Sequence, residues 1–155
     1  MDRDFERIVS TYADMLFRIC MHYSQSSADG EDIVQQTFMK ILEKNITFES
    51  FEHEKAWLIR VCINLCKDNL KRAEKNKTAP LGGQALSSEF SVDSLYITEH
   101  IRRLPPKQKI AIYLFYYENM PVKEIALTMN EKPSTVLSHL NRGRKALKKV
   151  LKEDL

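Results

Sequence analysis

Two runs of basic and amide side chains carry the clearest chemistry in the sequence. Arg142, Lys145, Lys149 and Lys152 step by three, four and three residues, so on a helix they form one cationic stripe opposite Val136, Leu140, Leu147 and Leu151. Ser134, Thr135, Ser138 and His139 lie in the first turns of the same segment, where hydroxyl and imidazole groups reach base edges or phosphates once a helix enters a major groove. A second stripe, Arg60, Asn64, Lys67 and Lys71, steps by four, three and four. Near it in sequence, Phe48 and Phe51 occupy the polar stretch 45–53, and Trp57 follows. Cations that track a phosphate backbone, with aromatic faces on which bases stack, are what holding a single strand requires. Each aromatic also has a second reading as core or loop packing, and each stripe as an ordinary solvated face.

No residue pattern points to catalysis. A Gly-rich phosphate loop, a metalloprotease helix and a nucleophile motif are all missing, so neither a catalytic residue nor a cofactor is expected. Cys62 and Cys66 are one turn apart and Cys20 is two residues from His22, yet no further Cys/His pair completes a tetrahedral set. They read as reduced core thiols, with no metal expected. The longest apolar run, Ile110 to Tyr117, has eight residues where a membrane span needs about 18, and the acidic start MDRDFERIV lacks a basic flank and hydrophobic stretch. A cytoplasmic protein with no direct membrane insertion follows.

The elements that must position these residues are helices. With 155 residues, 43% hydrophobic and 29% charged, the chain is long enough for one medium domain or two small ones. Residues 73–94, AEKNKTAPLGGQALSSEFSVDS, hold two of the four glycines and read as a linker between residues 1–72 and 95–155. Charge divides the same way: residues 1–70 carry 8 Lys/Arg and 12 Asp/Glu, net −4, and residues 95–155 carry 12 and 6, net +6. The basic half suits a polyanion, the acidic half a more selective partner.

Ile8, Tyr12, Met15, Leu16, Ile19 and Cys20 predict a helix from about Asp4 to Tyr23. Ser26 and Asp29 predict a capping box for a second helix, apolar at Val34, Phe38, Ile41 and Leu42. A third should cover Glu54 to Arg72, apolar at Trp57, Val61 and Leu65 and at Leu58, Cys62 and Cys66; Ile46 to Phe51 stays open between loop and short strand. Four more follow: Ser94–Leu104, Pro106–Glu118, Pro121–Met129 and Pro133–Leu151. Ile110 to Tyr117 is rich in strand formers, but the proline start and helical neighbours favour helix. Val122 to Thr128, the gap MNEK and the helix opening at Pro133 have helix-turn-helix spacing, with Ile125, Ala126, Val136 and Leu140 packing the crossing. A helical hairpin with a solvated basic face has the same pattern. The fold class is all-α: two small helical domains, the second containing the helix-turn-helix.

The stretch LPPKQKIAIYLFYYENMPVKEIALTMNEKPSTVLSHLNRGRKAL resembles region four of bacterial sigma factors in its leucine-proline entry, Glu124-Ile125-Ala126, Thr135-Val136, Ser138, Leu140, Arg142 and Arg144. Independently, ADGEDIVQQTFMKILEK looks like the core-polymerase-binding helix of region two, and AWLIRVCINLCKDNLKR like its promoter-melting helix, with Trp57-Leu58, Asn64, Asp68 and Arg72 in the family's places. Both matches occur in the right order, and the short linker is similar to that of the extracytoplasmic-function group.

This resemblance implies a non-enzymatic initiation factor that binds core RNA polymerase and promoter DNA, and an anti-sigma partner. Asp32, Gln35, Gln36 and Phe38 would grip the polymerase; Phe48, Phe51, Trp57, Arg60, Asn64, Lys67 and Lys71 would hold the opened minus-ten strand; Ser134, Thr135, Ser138, His139, Arg142, Arg144 and Lys145 would contact the minus-thirty-five duplex. As a free coil, 22 residues span only about 25–28 Å, whereas elements two helical turns apart are separated by roughly 70 Å, so the polymerase must hold the modules apart. Leu137 and His139 stand where the family usually has Lys and Arg, Glu131 and Lys132 replace an apolar and serine pair, and Gln36 replaces a common Glu. A stand-alone helix-turn-helix regulator dimerising through its acidic helices, and a polymerase-binding adaptor without DNA reading, are the alternatives.

Overall fold

The computed structural model describes residues 2–23, 25–76, 100–101 and 103–153, and divides into two compact units, Met1–Gln84 and Ala85–Leu155. Every described element is a helix, and no strand occurs among the described residues.

The first unit packs three helices, α1 (Asp2–His22), α2 (Ser27–Lys44) and α3 (Phe51–Asn76), each against the other two. The expected stripe of α1 is buried from Ile8 to Cys20. Ser26 caps α2, its side chain accepting from the Asp29 N–H at 3.1 Å. The other half of the box does not form, because the Asp29 carboxylate accepts from Asn69 of α3 at 3.1 Å instead. Asn45, left-handed at φ 52°, ends α2 with its N–H returned to the last turn. Gly30 allows a close approach to α1: a Cβ there would meet Met21 Cε at 2.7 Å and Cys20 Cβ at 3.3 Å.

Two expected stripes are rotated. On α2 the core takes Ile33, Thr37, Phe38 and Ile41, leaving Val34 half-buried and Leu42 exposed. On α3 it takes Leu58, Ile59, Cys62, Ile63 and Cys66, while Trp57, Val61 and Leu65 are half-buried. Both segments have apolar residues on more than one face, so periodicity alone does not choose between them. Helix α3 also begins earlier and ends later than expected. Ser50 caps it by accepting from the His53 N–H at 3.1 Å, which settles Ile46 to Phe51 as loop running into helix. At the other end Ala73, Glu74 and Lys75, all good helix formers, carry it to Asn76, four residues into the stretch expected as linker. The rest of that linker, 77–94, lies outside the described residues, as does most of the expected helix 94–104, of which His100 and Ile101 are helical.

The second unit contains α4 (Pro106–Ile112), a π-helical turn (Tyr113–Tyr117), α5 (Val122–Met129) and α6 (Pro133–Glu153). The predicted helix 106–118 is therefore α-helical only to Ile112. Its last turn widens, with the Glu118 N–H reaching back five residues to Tyr113 O at 3.3 Å. Tyr113 stacks on Tyr117 at 5.6 Å and donates to Glu118 at 2.8 Å, and left-handed Asn119 then reverses the chain. Ile125, Ala126, Val136 and Leu140 are buried at the α5–α6 crossing. Gly143 brings α6 onto α4, where a Cβ would overlap Ile112.

Candidate nucleic-acid and polymerase interfaces

Between α2 and α3, six residues, Asn45 to Ser50, form a loop whose shape is set by its ends. The Glu49 N–H donates to His53 Nδ1 at 3.2 Å, and Phe48 packs edge-on against His53 and Trp57, both at 5.5 Å. Phe51 is 70% exposed, its ring 5.0 Å beneath the Arg7 guanidinium. Arg7 is fixed by a two-pronged bond to the buried Glu54 carboxylate at 3.1 and 2.8 Å, and that bond holds its pKa above the ordinary value. Tyr12, facing the same carboxylate, has its pKa pushed up to about 12, mainly because burial penalises the phenolate and then because Glu54 disfavours a second negative charge. These parts enclose a groove of about 720 Å³ lined by Phe5, Leu42, Asn45, Thr47, Phe48 and Phe51, among others.

From Trp57 the exposed face of α3 continues through Arg60, Asn64, Lys67 and Lys71; Lys67 is half-buried and the other three are exposed. On α2, Asp32 and Gln35 are exposed and Gln36 is half-buried, donating to Asp32 at 2.6 Å. Met39, 49% exposed, and Leu42 extend this face by helical steps.

In the second unit, left-handed Asn130 ends α5, and the Glu131 N–H donates to Ala126 O at 2.9 Å. The Glu131 carboxylate then ties three elements together. It lies 3.0 Å from His139 Nε2 on α6 and 3.7 Å from Lys107 Nζ on α4. Farther along α6, Arg144 donates to the Tyr116 hydroxyl at 2.6 Å and lies over the Phe115 and Tyr116 rings at 5.5 Å. Ser134, Ser138, Arg142, Lys145 and Lys149 are exposed, and Thr135 is half-buried. The side chain of Lys152 lies outside the described residues.

A third grouping is buried in the first unit. Cys20 Sγ lies 3.6 Å from Cys62 Sγ and 3.8 Å from Cys66 Sγ, and all three sulfurs fall within 4.8 Å of one another. Hydrogen bonds from Cys62 and Cys66 hold the Cys20 thiol below its ordinary value. The same contacts with Cys20 push Cys62 and Cys66 up.

Comparison with known proteins assigns these units. Residues 8–76 match the sigma-70 region 2 family and residues 94–147 match sigma-70, region 4. The chain belongs to the extracytoplasmic-function group of the sigma-70 family. It is similar to the sigma factor SigW of Bacillus subtilis, 26% identical over 98% of this chain and 91% of that one. SigV of the same organism is 25% identical over 95% and 91%. Among solved structures, the sigma factor RpoE in complex with the anti-sigma factor NepR from Bartonella quintana has the same fold, with a TM-score of 0.79 at 22% identity over 99% of both chains. CnrH in complex with the cytosolic domain of CnrY gives 0.70 at 20% identity, over 100% of this chain and 92% of that one.

A sigma factor is not an enzyme: it binds RNA polymerase and directs initiation at promoters. Within this sigma factor three expected contact residues are turned toward the protein itself. Phe38 is buried, edge-on to Phe5 at 6.4 Å, because Ile33, Thr37 and Ile41 set the inner face of α2; the exposed apolar neighbour is Met39. His139 is occupied by Glu131, a residue the sequence showed only as a departure in the turn. Arg144 is held by aromatic groups of the π-helical turn. Sequence reasoning also missed Arg7 and Glu54, which are 47 positions apart and carry no local signal. No described helix is long and apolar enough to cross a membrane.

Proposed function

We propose that the first unit grips RNA polymerase through the α2 face of Asp32, Gln35, Gln36, Met39 and Leu42, and captures the opened minus-ten strand in the groove beside Phe48 and Phe51. The observation that carries this reading is the groove itself: 720 Å³ of space with an exposed aromatic at its rim and amide and hydroxyl groups in its wall. An extruded base needs a shaped pocket, a stacking surface and donors or acceptors for its edge. Trp57 continues the aromatic wall from Phe48 toward Arg60, Asn64, Lys67 and Lys71, which follow the strand's phosphates. The α2 face combines carboxamides with exposed Met39, a composition suited to a reversible protein contact.

In the second unit, Ser134, Thr135, Ser138, Arg142 and Lys145 dock on the minus-thirty-five duplex. With His139 and Arg144 engaged inside the protein, the duplex grip falls mainly on phosphate-reaching groups. The working division is residues 1–76 for polymerase and minus-ten and residues 95–155 for minus-thirty-five. Such a factor works in the cytoplasm. A protein that masks these surfaces, an anti-sigma factor, is a further partner, supported by the two related structures solved with one.

Permanganate footprinting of a promoter bound by the polymerase holoenzyme tests the groove. Phe51→Ala is expected to reduce reactivity of minus-ten thymines at least several-fold while leaving polymerase binding intact. Unchanged opening would remove Phe51 from the site.

A further inference from the structure

We propose that Cys20, Cys62 and Cys66 form a three-coordinate thiolate site for a soft, thiophilic ion, of which monovalent copper and trivalent arsenic are the chemical types. This inference does not rest on the promoter surfaces. Cys62 and Cys66 stand one turn apart on α3, and the packing of α1 brings Cys20 to both. With two sides of 3.6 and 3.8 Å and a third between sulfur contact distance and 4.8 Å, the point equidistant from the three sulfurs lies roughly 2.1–2.4 Å from each. A metal–thiolate bond is about 2.3 Å, so an ion at that point bonds all three with little rearrangement.

The surroundings select the ion. All three cysteines have 0% exposure, and no His, Asp or Glu joins them among the described residues. Calcium and magnesium need oxygen ligands, and structural zinc takes four protein ligands. Three sulfurs alone suit soft ions. On binding, each S–H bond breaks as a sulfur–ion bond forms. The proton passes to water for copper, or leaves as water with a hydroxide of arsenous acid. Neither ion nor sulfur changes oxidation state, so no oxidant or reductant is needed. The bound ion staples α1 to α3. Access runs by local opening at the end of α1, where Gln25 bonds the Cys66 carbonyl at 3.2 Å and Asn69.

The test titrates the reduced, full-length protein without oxygen, using monovalent copper against a chelating indicator, arsenite, and zinc as the control. The expected result is one equivalent of copper or arsenic bound, three sulfur neighbours in its X-ray absorption spectrum and a thermal midpoint raised by several degrees. Cys20→Ala should lose at least about 100-fold in affinity, since losing even an outer-shell partner of a metal site costs 10–100-fold. Because a core variant can misfold, the sulfur count on the unaltered protein decides independently. Absence of stoichiometric binding, fewer than three sulfurs, unchanged affinity in a folded Cys20→Ala protein, or uptake of zinc alone with a nitrogen or oxygen ligand would each overturn the site.

Discussion

Tyr12 shows how a single buried group ties the first unit to pH. Its phenol is kept neutral by burial and by Glu54, so its pKa rises to about 12 in the folded chain against about 10 unfolded. The unfolded chain therefore loses this proton first. The stabilisation is complete below about pH 10 and disappears as pH climbs through about 12. Urea unfolding at pH 9 and 11.5 should show a larger loss for the unaltered protein than for Tyr12→Phe; equal losses would contradict the assignment. On α6, neighbouring cations have separate roles. Arg142→Ala and Lys145→Ala should weaken duplex binding and flatten its salt dependence by about 0.9 for each phosphate no longer neutralised. Arg144→Ala should chiefly loosen the second unit, since its guanidinium lies on Phe115 and Tyr116. Fluorescence anisotropy over a salt series, with thermal melts of each variant, separates the two effects.

Whole helices follow the same division between inward and outward faces. Leu140 is completely buried at the α5–α6 crossing, so Leu140→Ala should cost about 2–5 kcal/mol in calorimetry or urea unfolding and abolish duplex binding with it. Met39 on α2 is exposed, and Met39→Ala should leave stability within about 0.5 kcal/mol while lowering polymerase affinity, roughly tenfold for a loss of 1.4 kcal/mol. Surface plasmon resonance with core polymerase reads that change. The helix-turn-helix was legible because its spacing, Pro133 and the Ile125, Ala126, Val136, Leu140 set are local features. The stripe on α3 was legible because four polar residues share one face. The orientation of α2 was not, because VQQTFMKIL offers Phe38 and Ile41 to either of two faces, and only packing against α1 and α3 selects one. The π-helical widening at Tyr113 and the Glu131 tie depend on contacts between elements, as does the meeting of Cys20 with two cysteines more than 40 positions away.

Across the molecule, charge and architecture agree. An acidic three-helix unit with a groove of about 720 Å³ precedes a basic unit built on a helix-turn-helix, the order of regions two and four in the family. Each surface is small, and the resemblance to sigma factors gives both a common use: placing RNA polymerase at a start site. The most direct measurement is run-off transcription from genomic DNA fragments by purified core RNA polymerase of the source bacterium, with and without this protein, followed by mapping of the transcript ends. The expected result is a discrete set of new starts, present only with the protein and preceded by two shared sequence elements about two helical turns apart. Transcripts no different from those of core polymerase alone would contradict the account.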